Sequence, residues 1–299
     1  MAVTSCRAWR DAYGRDMQVS QLWRYPVKSM VGARVGSIEL DELGIVGDRT
    51  WAVRDLERGG IRGAKKIGSL MRLAARAVDD GHVEITLPDG STVRTSDPDV
   101  DERVSAALDH RVQLERLRPA DDLDHYRRGA PDSDDVVAEL RGIFGRDDDE
   151  PFPDFSIFPP IITEFESPPG TYYDAYPLLL MTEAALAALN AALPDSSVDI
   201  RRFRPSMVVD TGDSGTDAST FGHPEFDWRG RRATIGTATI EFGAPCPRCV
   251  MVTREISDDI PTDRAVLRHI VRDLDQNLGV YATIVTPGAV RVGDALSFT

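Results

Sequence analysis

Residues 240–254 read IEFGAPCPRCVMVTR, and the fold turns on how this stretch is built. The alternating apolar run Thr234–Phe242 predicts a strand that ends at Gly243-Ala244-Pro245. Cys246, Pro247, Arg248 and Cys249 follow, and Val250–Thr253 predicts a second strand. Two strands would then meet at a turn holding two thiols and a guanidinium. Pro245 and Pro247 fix φ on either side of Cys246, so the loop is stiff. Arg248 sets a permanent positive charge beside Cys249 and so favours the thiolate, the form that binds metals. A lone C-x-x-C also fits a pair of half-buried cysteines at a turn. A structural zinc needs four ligands, and only Cys6 and five scattered histidines remain to supply them. A thioredoxin-like dithiol would open a helix, whereas a strand is expected here. That leaves a single thiolate ligand on a rigid loop.

The chain is long enough, at 299 residues, for two domains or one large one. With 24 Gly and 19 Pro it suits a strand-rich, turn-rich protein. A net charge of −14 argues against nucleic acid or an anionic membrane surface as partner, though not against one local basic pocket. Three cysteines make no disulfide framework, which points to a reducing cytoplasm. The opening MAVTSCRAWRDAYGRD has no apolar signal-peptide core, and no membrane span is expected, the longest apolar candidate being the short segment 177–181.

In chain order, a strand at 17–24 leads into Tyr25-Pro26-Val27-Lys28-Ser29-Met30, with Lys28 and Ser29 at a strand end. A strand at 34–41 precedes the glycine-punctuated loop Gly44–Trp51, where Asp48-Arg49 fits equally a plain surface pair or an Arg49 that reaches an anion next to Lys28. Pro88-Asp89-Gly90-Ser91 marks a hairpin, 99–109 a short helix and 111–117 a strand. Residues 17–118 therefore predict a small strand-dominated barrel. Between 119 and 175 acidic clusters and recurrent prolines suggest a solvated linker. Against that, Phe152, Phe155, Phe158, Phe165, Tyr172, Tyr173 and Tyr176 are more aromatic than a spacer needs, so a lid is the alternative to the linker. One helix is expected at 134–144, capped by Ser133. From 176 to 299 a second domain is expected. Thr182 caps a helix, Arg204 precedes Pro205 at the entry to a strand at 207–210, and Val266 to Leu278 form a helical stripe stopped by Gly279. A closing hairpin is expected around Pro287-Gly288.

The singular positions are thus Lys28, Ser29, Arg49, Arg204 and the Arg248–Cys249 loop, all at strand ends. Basic side chains with one thiolate suit a phosphorylated, sulfur-bound metal cofactor. LWRYPVKSM at 22–30, GIVGDRTW at 44–51, FRPSMVV at 203–209, PCPRCVMVT at 245–253 and GVYATIVTPGAVRVGD at 279–294 occur in that order. In these five motifs the chain resembles the MOSC family in its longer form, with an N-terminal β-barrel, and in particular its amidoxime-reducing molybdenum proteins. The resemblance implies an α+β, strand-dominated fold: a small N-terminal β-barrel plus a MOSC β-barrel with peripheral helices. It implies molybdenum cofactor (molybdopterin, sulfurated) with Cys249 as metal ligand and catalytic position. Lys28, Ser29, Arg49, Arg204 and Arg248 match the cofactor contacts, with Ser206 and Pro247 beside them. Ser206 stands where those relatives carry asparagine, so one cofactor hydrogen bond differs, and the 119–175 insert is longer than theirs.

The function implied is reduction of small N-hydroxylated or related N–O and S–O compounds. No four-cysteine cluster site and no G-x-G-x-x-G is present, so electrons would come from a separate donor protein. Two other readings share the motifs: a carrier of the cofactor or of persulfide sulfur on Cys249 or Cys246, and a cofactor-free reuse of the fold.

Overall fold

A computed structural model describes residues 17–78, 81–212 and 222–299; Cys6 and the opening segment read above for a signal peptide lie outside them. The strands before residue 120 are β1 (Gln18–Arg24), β2 (Ala33–Val35), β3 (Ser37–Leu40), β4 (Trp51–Asp55), β5 (Ile61–Arg62), β6 (Ala74–Ala77), β7 (Val83–Thr86), β8 (Thr92–Arg94) and β9 (Val112–Arg116). Those after it are β10 (Leu178–Thr182), β11 (Met207–Asp210), β12 (Arg232–Ile235), β13 (Ala238–Pro247), β14 (Asn277–Thr286), β15 (Gly288–Arg291) and β16 (Leu296–Phe298). The helices are α1 (Val100–Leu108), α2 (Leu123–Tyr126), α3 (Val136–Phe144), α4 (Glu183–Ala192) and α5 (Arg264–Asp273). The chain is the strand-dominated α+β protein with two barrel units that its sequence predicts.

Eight strands form one sheet in the order β16-β12-β13-β14-β10-β11-β1-β2. The start of β1 curls back to the run before β16: Val19 N donates to Asp294 O and Leu296 N to Met17 O. These bonds join β1 to the far end of the sheet as a barrel. Strand β10 shows why its sequence, LLLMT, is apolar throughout. Leu178 and Leu180 point into the barrel with Met207, Trp228, Ile240 and Phe242, while Met181 points outward onto α4 and α5. A strand covered on both faces needs no polar alternation. On the outer side Val266, Leu267, Ile270 and Val271 of α5 are buried, each contributing about 1.5–3 kcal/mol.

The smaller unit joins the sheets β5-β4-β9 and β6-β7-β8 around Val27, Met30, Leu70, Ile85 and Val104. Its core also takes Ile256 and Ile260 from the C-terminal half, and β1 and β3 pair with strands of that half, so the chain crosses between the units several times.

Several local expectations are corrected. The run Thr234–Phe242 is two strands, β12 and β13, joined by a turn at Gly236 (φ 58°), where a Cβ would meet Ala289 O at 2.3 Å. Residues 250–253 form a 3₁₀ turn and not a strand, because the chain turns toward α5. β14 and β15 do not form a hairpin: β14 lies between β13 and β10, while β15 pairs with β3. Helix α5 stops at Asp273, and Leu278 belongs to β14, since Asp275 (φ 47°) and Gln276 (φ 69°) turn the backbone in the left-handed region. Helix α3 is capped by Asp135, whose carboxylate accepts from Val137 N (2.8 Å) and Ala138 N (3.3 Å), and not by Ser133.

Within 119–175 the aromatics divide. Tyr172 packs with Ala52, Ile61, Tyr126 and Phe165 against the smaller unit, its hydroxyl 2.6 Å from His125 Nε2. Tyr172→Ala is therefore expected to cost about 3–5 kcal/mol of stability, the usual range for emptying a buried aromatic site. A denaturant midpoint within error of the parent would show that this cluster is dispensable.

Candidate functional site

The C-terminal end of β13 carries the cysteines. Its pairing with β14 shifts register between Phe242 and Pro245 and again between Pro245 and Pro247. Prolines cannot donate to a ladder, so the bulges fall where they stand. Cys246 stays buried in the strand, 4% exposed, with its thiol against Tyr281 and the Pro247 carbonyl. Burial pushes the Cys246 thiol up, and pushes the Tyr281 hydroxyl bonded to it well up too. Cys249, just past the strand, is half-buried and unpaired as a thiol. The loop is pinned from behind. Arg248 N donates to Gln276 O (2.8 Å), and Arg146 donates to Arg248 O (3.0 Å) and to Gln276 Oε1 (3.0 Å).

Cys246, Pro247, Arg248 and Cys249 open on a cavity of about 660 Å3 between the two units. Lys28, Ser29, Arg49 and Arg204 line the same space, so the structure gathers all but one of the positions singled out above. The exception is Ser206, a buried residue whose backbone pairs with Leu179 and Trp23 and whose hydroxyl accepts from Leu179 N at 3.3 Å. It does not line the cavity. Arg248 does, but its guanidinium is committed to Leu278 O (2.8 Å), Phe203 O (3.0 Å) and Met181 Sδ (3.7 Å), so its first task is to brace the loop.

The cavity lining holds nine Lys or Arg side chains against three Asp or Glu, in a protein of net charge −14. Ser29 (φ 67°), Arg49 (φ 48°) and Arg204 (φ 55°) are all left-handed, a conformation that costs a non-glycine residue about 1–3 kcal/mol. Arg204 is only 7% exposed. Its guanidinium stacks 4.3 Å over Tyr25 and donates to Met30 O, but Nη2 has no partner. Burial and then the neighbouring Arg49 push Arg204 down to about 10, so it keeps its charge at neutral pH without a counter-ion of its own. Arg49 bonds to Asp48, whose other oxygen accepts from Tyr25 N at 2.5 Å. Inorganic pyrophosphate is expected to raise the melting temperature of the metal-free protein through this corner, and the rise should vanish in Arg204→Met. An equal rise in both proteins would place the anion elsewhere.

Sequence reasoning missed several members. Asp174 sits between Lys28 (2.6 Å) and Lys65 (2.9 Å), and Lys28 also donates to Tyr172 O (2.8 Å). Burial works to raise Asp174, but the two ammonium groups outweigh it and hold the carboxyl well below the usual range. Burial lowers Lys28, an effect Asp174 only partly offsets, whereas for Lys65 the Asp174 carboxylate wins and the pKa is raised. A charge on Cys249 bears on Lys65, Arg146 and Arg254, of which Lys65 and Arg146 come from distant parts of the chain. Nothing local in the sequence marks Arg146, whereas Arg254 closes the stretch 240–254, five residues after Cys249. Asp174 had one weak signal, a lone carboxylate inside the aromatic run TYYDAY.

A depressed carboxylate contributes stability above its unfolded pKa, near 4, and loses it as pH falls through the lower folded value. The stability difference between the parent and Asp174→Asn is therefore expected to be full at pH 6 and to shrink below about pH 4. It should be modest, because the Asp174 side chain is 43% exposed to cavity water. A difference that grows on acidification would reverse the assignment.

A strand-end thiol and a cluster of cations thus face one cavity between two barrel units, in a double-barrel fold. The chain belongs to the MOSC family: residues 168–297 match the MOSC domain and residues 16–127 the MOSC N-terminal beta barrel domain. It is similar to mitochondrial amidoxime reducing component 2 of Bos taurus, 25% identical over 96% of this chain and 87% of that protein. Mitochondrial amidoxime-reducing component 1 of Homo sapiens is likewise 25% identical, over 98% of this chain and 87% of its own length. The crystal structure of the YuaD protein from Bacillus subtilis aligns over 95% of this chain and 96% of that one, at 11% identity and a TM-score of 0.42. No helix among the described residues is long and apolar enough to cross a membrane.

Proposed function

We propose that this chain binds a phosphorylated molybdopterin in its sulfurated form, with Cys249 as the protein ligand to molybdenum, and reduces N-hydroxylated or related N–O and S–O compounds. The observation that carries the reading is the unpartnered Nη2 of buried Arg204 on the cavity that also holds Cys249. A buried, charged donor left without an acceptor is costly, and an anionic ligand removes that cost. Amidoxime reduction, the activity in the relatives' name, supplies the substrate class.

In this reading Arg204, Arg49 and Lys28 hold the anionic end of the cofactor, and the left-handed turns at Ser29, Arg49 and Arg204 aim the backbone there. Pro247 and the brace of Arg248 and Arg146 keep Cys249 in one place before anything binds. When bound, the cofactor supplies two-electron chemistry that the side chains do not have. Reducing an N-hydroxyl group consumes two electrons and two protons and releases water. The electrons are assigned to a separate donor protein. Lys65, paired with Asp174 on the cavity, holds protons near Cys249. Tyr176 stacked on Tyr281 at 4.6 Å walls one side against water. The cytoplasm, where both thiols stay reduced, is part of the same proposal.

Protein produced in a host that makes the cofactor should carry close to one molybdenum and one pterin per chain, and should reduce an amidoxime with an artificial electron donor. Protein from that host with neither metal nor pterin would sink the reading.

A further inference from the structure

Helix α3 reads VVAELRGIF, yet none of its residues is buried. A helix so apolar ordinarily surrenders one face to a core. Here its ends are fastened and its middle is left facing the cavity. At one end Lys66 pairs with Glu139 and with Asp132 (3.0 Å), which also takes Arg62 (2.7 Å). At the other, Gly145 (φ 64°) closes so tightly that a Cβ would come within 2.8 Å of Leu267 and 3.2 Å of Val250. Between these fastenings Leu140, Ile143 and Phe144 line the same cavity as Cys249. Phe155, edge-on to Phe144 at 5.5 Å, and Phe158 continue the wall.

The charges on this side are already compensated. Lys66 has Asp132 and Glu139, Arg62 has Asp55 (3.2 Å) and Asp132, and Arg128 has Glu166 (2.5 Å). What the wall offers a ligand is therefore apolar surface without spare charge, unlike the Arg204 corner across the cavity. Whatever covers it must share about 660 Å3 with the group at Cys249, so the occupant is a small molecule and not a protein segment.

We propose that the α3 wall is the specificity subsite of this enzyme, and that its substrates carry the reducible N–O group on an uncharged aromatic or branched aliphatic body. This rests on the reductive reading above, and the experiment separates the two. Reduction of benzamidoxime and of acetamidoxime is measured with an artificial donor and normalised to bound molybdenum. In parallel, saturation-transfer NMR follows benzamidoxime on the metal-free protein. The parent should prefer the aryl compound at least tenfold in kcat/KM, which is about 1.4 kcal/mol. A carboxylate on the ring should remove most of that preference. Leu140→Asn should lower the aryl-to-methyl ratio about tenfold and abolish the transfer signal, while Val137→Asn, on the exposed side of the same helix and off the cavity, should keep both. Because no side chain of α3 is fully buried, these variants should melt close to the parent, and the melting curve checks it. Transfer that Leu140→Asn abolishes, in a protein that reduces neither compound, would support the subsite and overturn only the reduction. Turnover of both compounds with equal preference and no transfer signal would overturn the subsite and leave the reduction standing.

Discussion

Cys249→Ser is expected to bring molybdenum from about one atom per chain to background, while Cys246→Ser retains most of it. The two thiols are three residues apart and live in different surroundings. Cys249 is half-buried on the cavity behind a braced loop, whereas Cys246 is 4% exposed and turned toward Tyr281 and the Pro247 carbonyl. A serine hydroxyl is a hard donor that does not ionise near neutral pH, so it replaces a soft thiolate poorly. At position 246 the same hydroxyl can still bond to Tyr281. Metal analysis of both variants, made in the same cofactor-producing host, decides the matter. Equal loss in the two, or loss in neither, would remove Cys249 as the ligand.

Arg204→Met should move two quantities in opposite directions. Retained pterin, read by its fluorescence after release, should fall at least tenfold, since a charge-assisted bond to an anion contributes about 1.5–3 kcal/mol. The metal-free protein should lose no stability and should gain up to about 1 kcal/mol. Removing the arginine discards the bond to Met30 O and the contact with Tyr25, but it also removes a desolvated charge, an unsatisfied donor and the repulsion of Arg49. Arg231→Ala, over Phe298 and off the cavity, should leave pterin content unchanged. A variant that keeps its pterin yet unfolds more readily would make Arg204 a structural residue.

The sequence announced what depends on local rules. Period-2 runs, Pro and Gly punctuation and the ordered motifs were enough for both barrels, and for the gathering of Lys28, Ser29, Arg49, Arg204 and Cys249. It misled where tertiary packing overrides local preference. Val250–Thr253 is β-branched enough for a strand but is bent into a 3₁₀ turn by its seat on α5, and Leu278 keeps a helical spacing while lying in β14. It was silent where function is assembled from afar. Arg146 reaches Gln276 across 130 positions, and Lys28 finds Asp174 across 146, separations that no short pattern records. The aromatic insert was readable as too apolar for a spacer. That Tyr172 would go to the core while Phe144 and Phe155 stay at the cavity follows from contacts with both units.

Three residues with left-handed backbone at one site also bear on how the chain fares in a cell. Ser29, Arg49 and Arg204 together hold several kilocalories per mole of backbone strain, on the order of 1–3 each, within a fold whose whole stability is on the order of 5–15. A ligand that binds only the folded form adds to that stability in proportion to the logarithm of its free concentration. Newly made chains without cofactor would open more often and be cleared sooner by quality-control proteases. On the proposed cofactor binding, the steady-state amount of this protein should follow the cofactor supply of its host, even at constant transcript level.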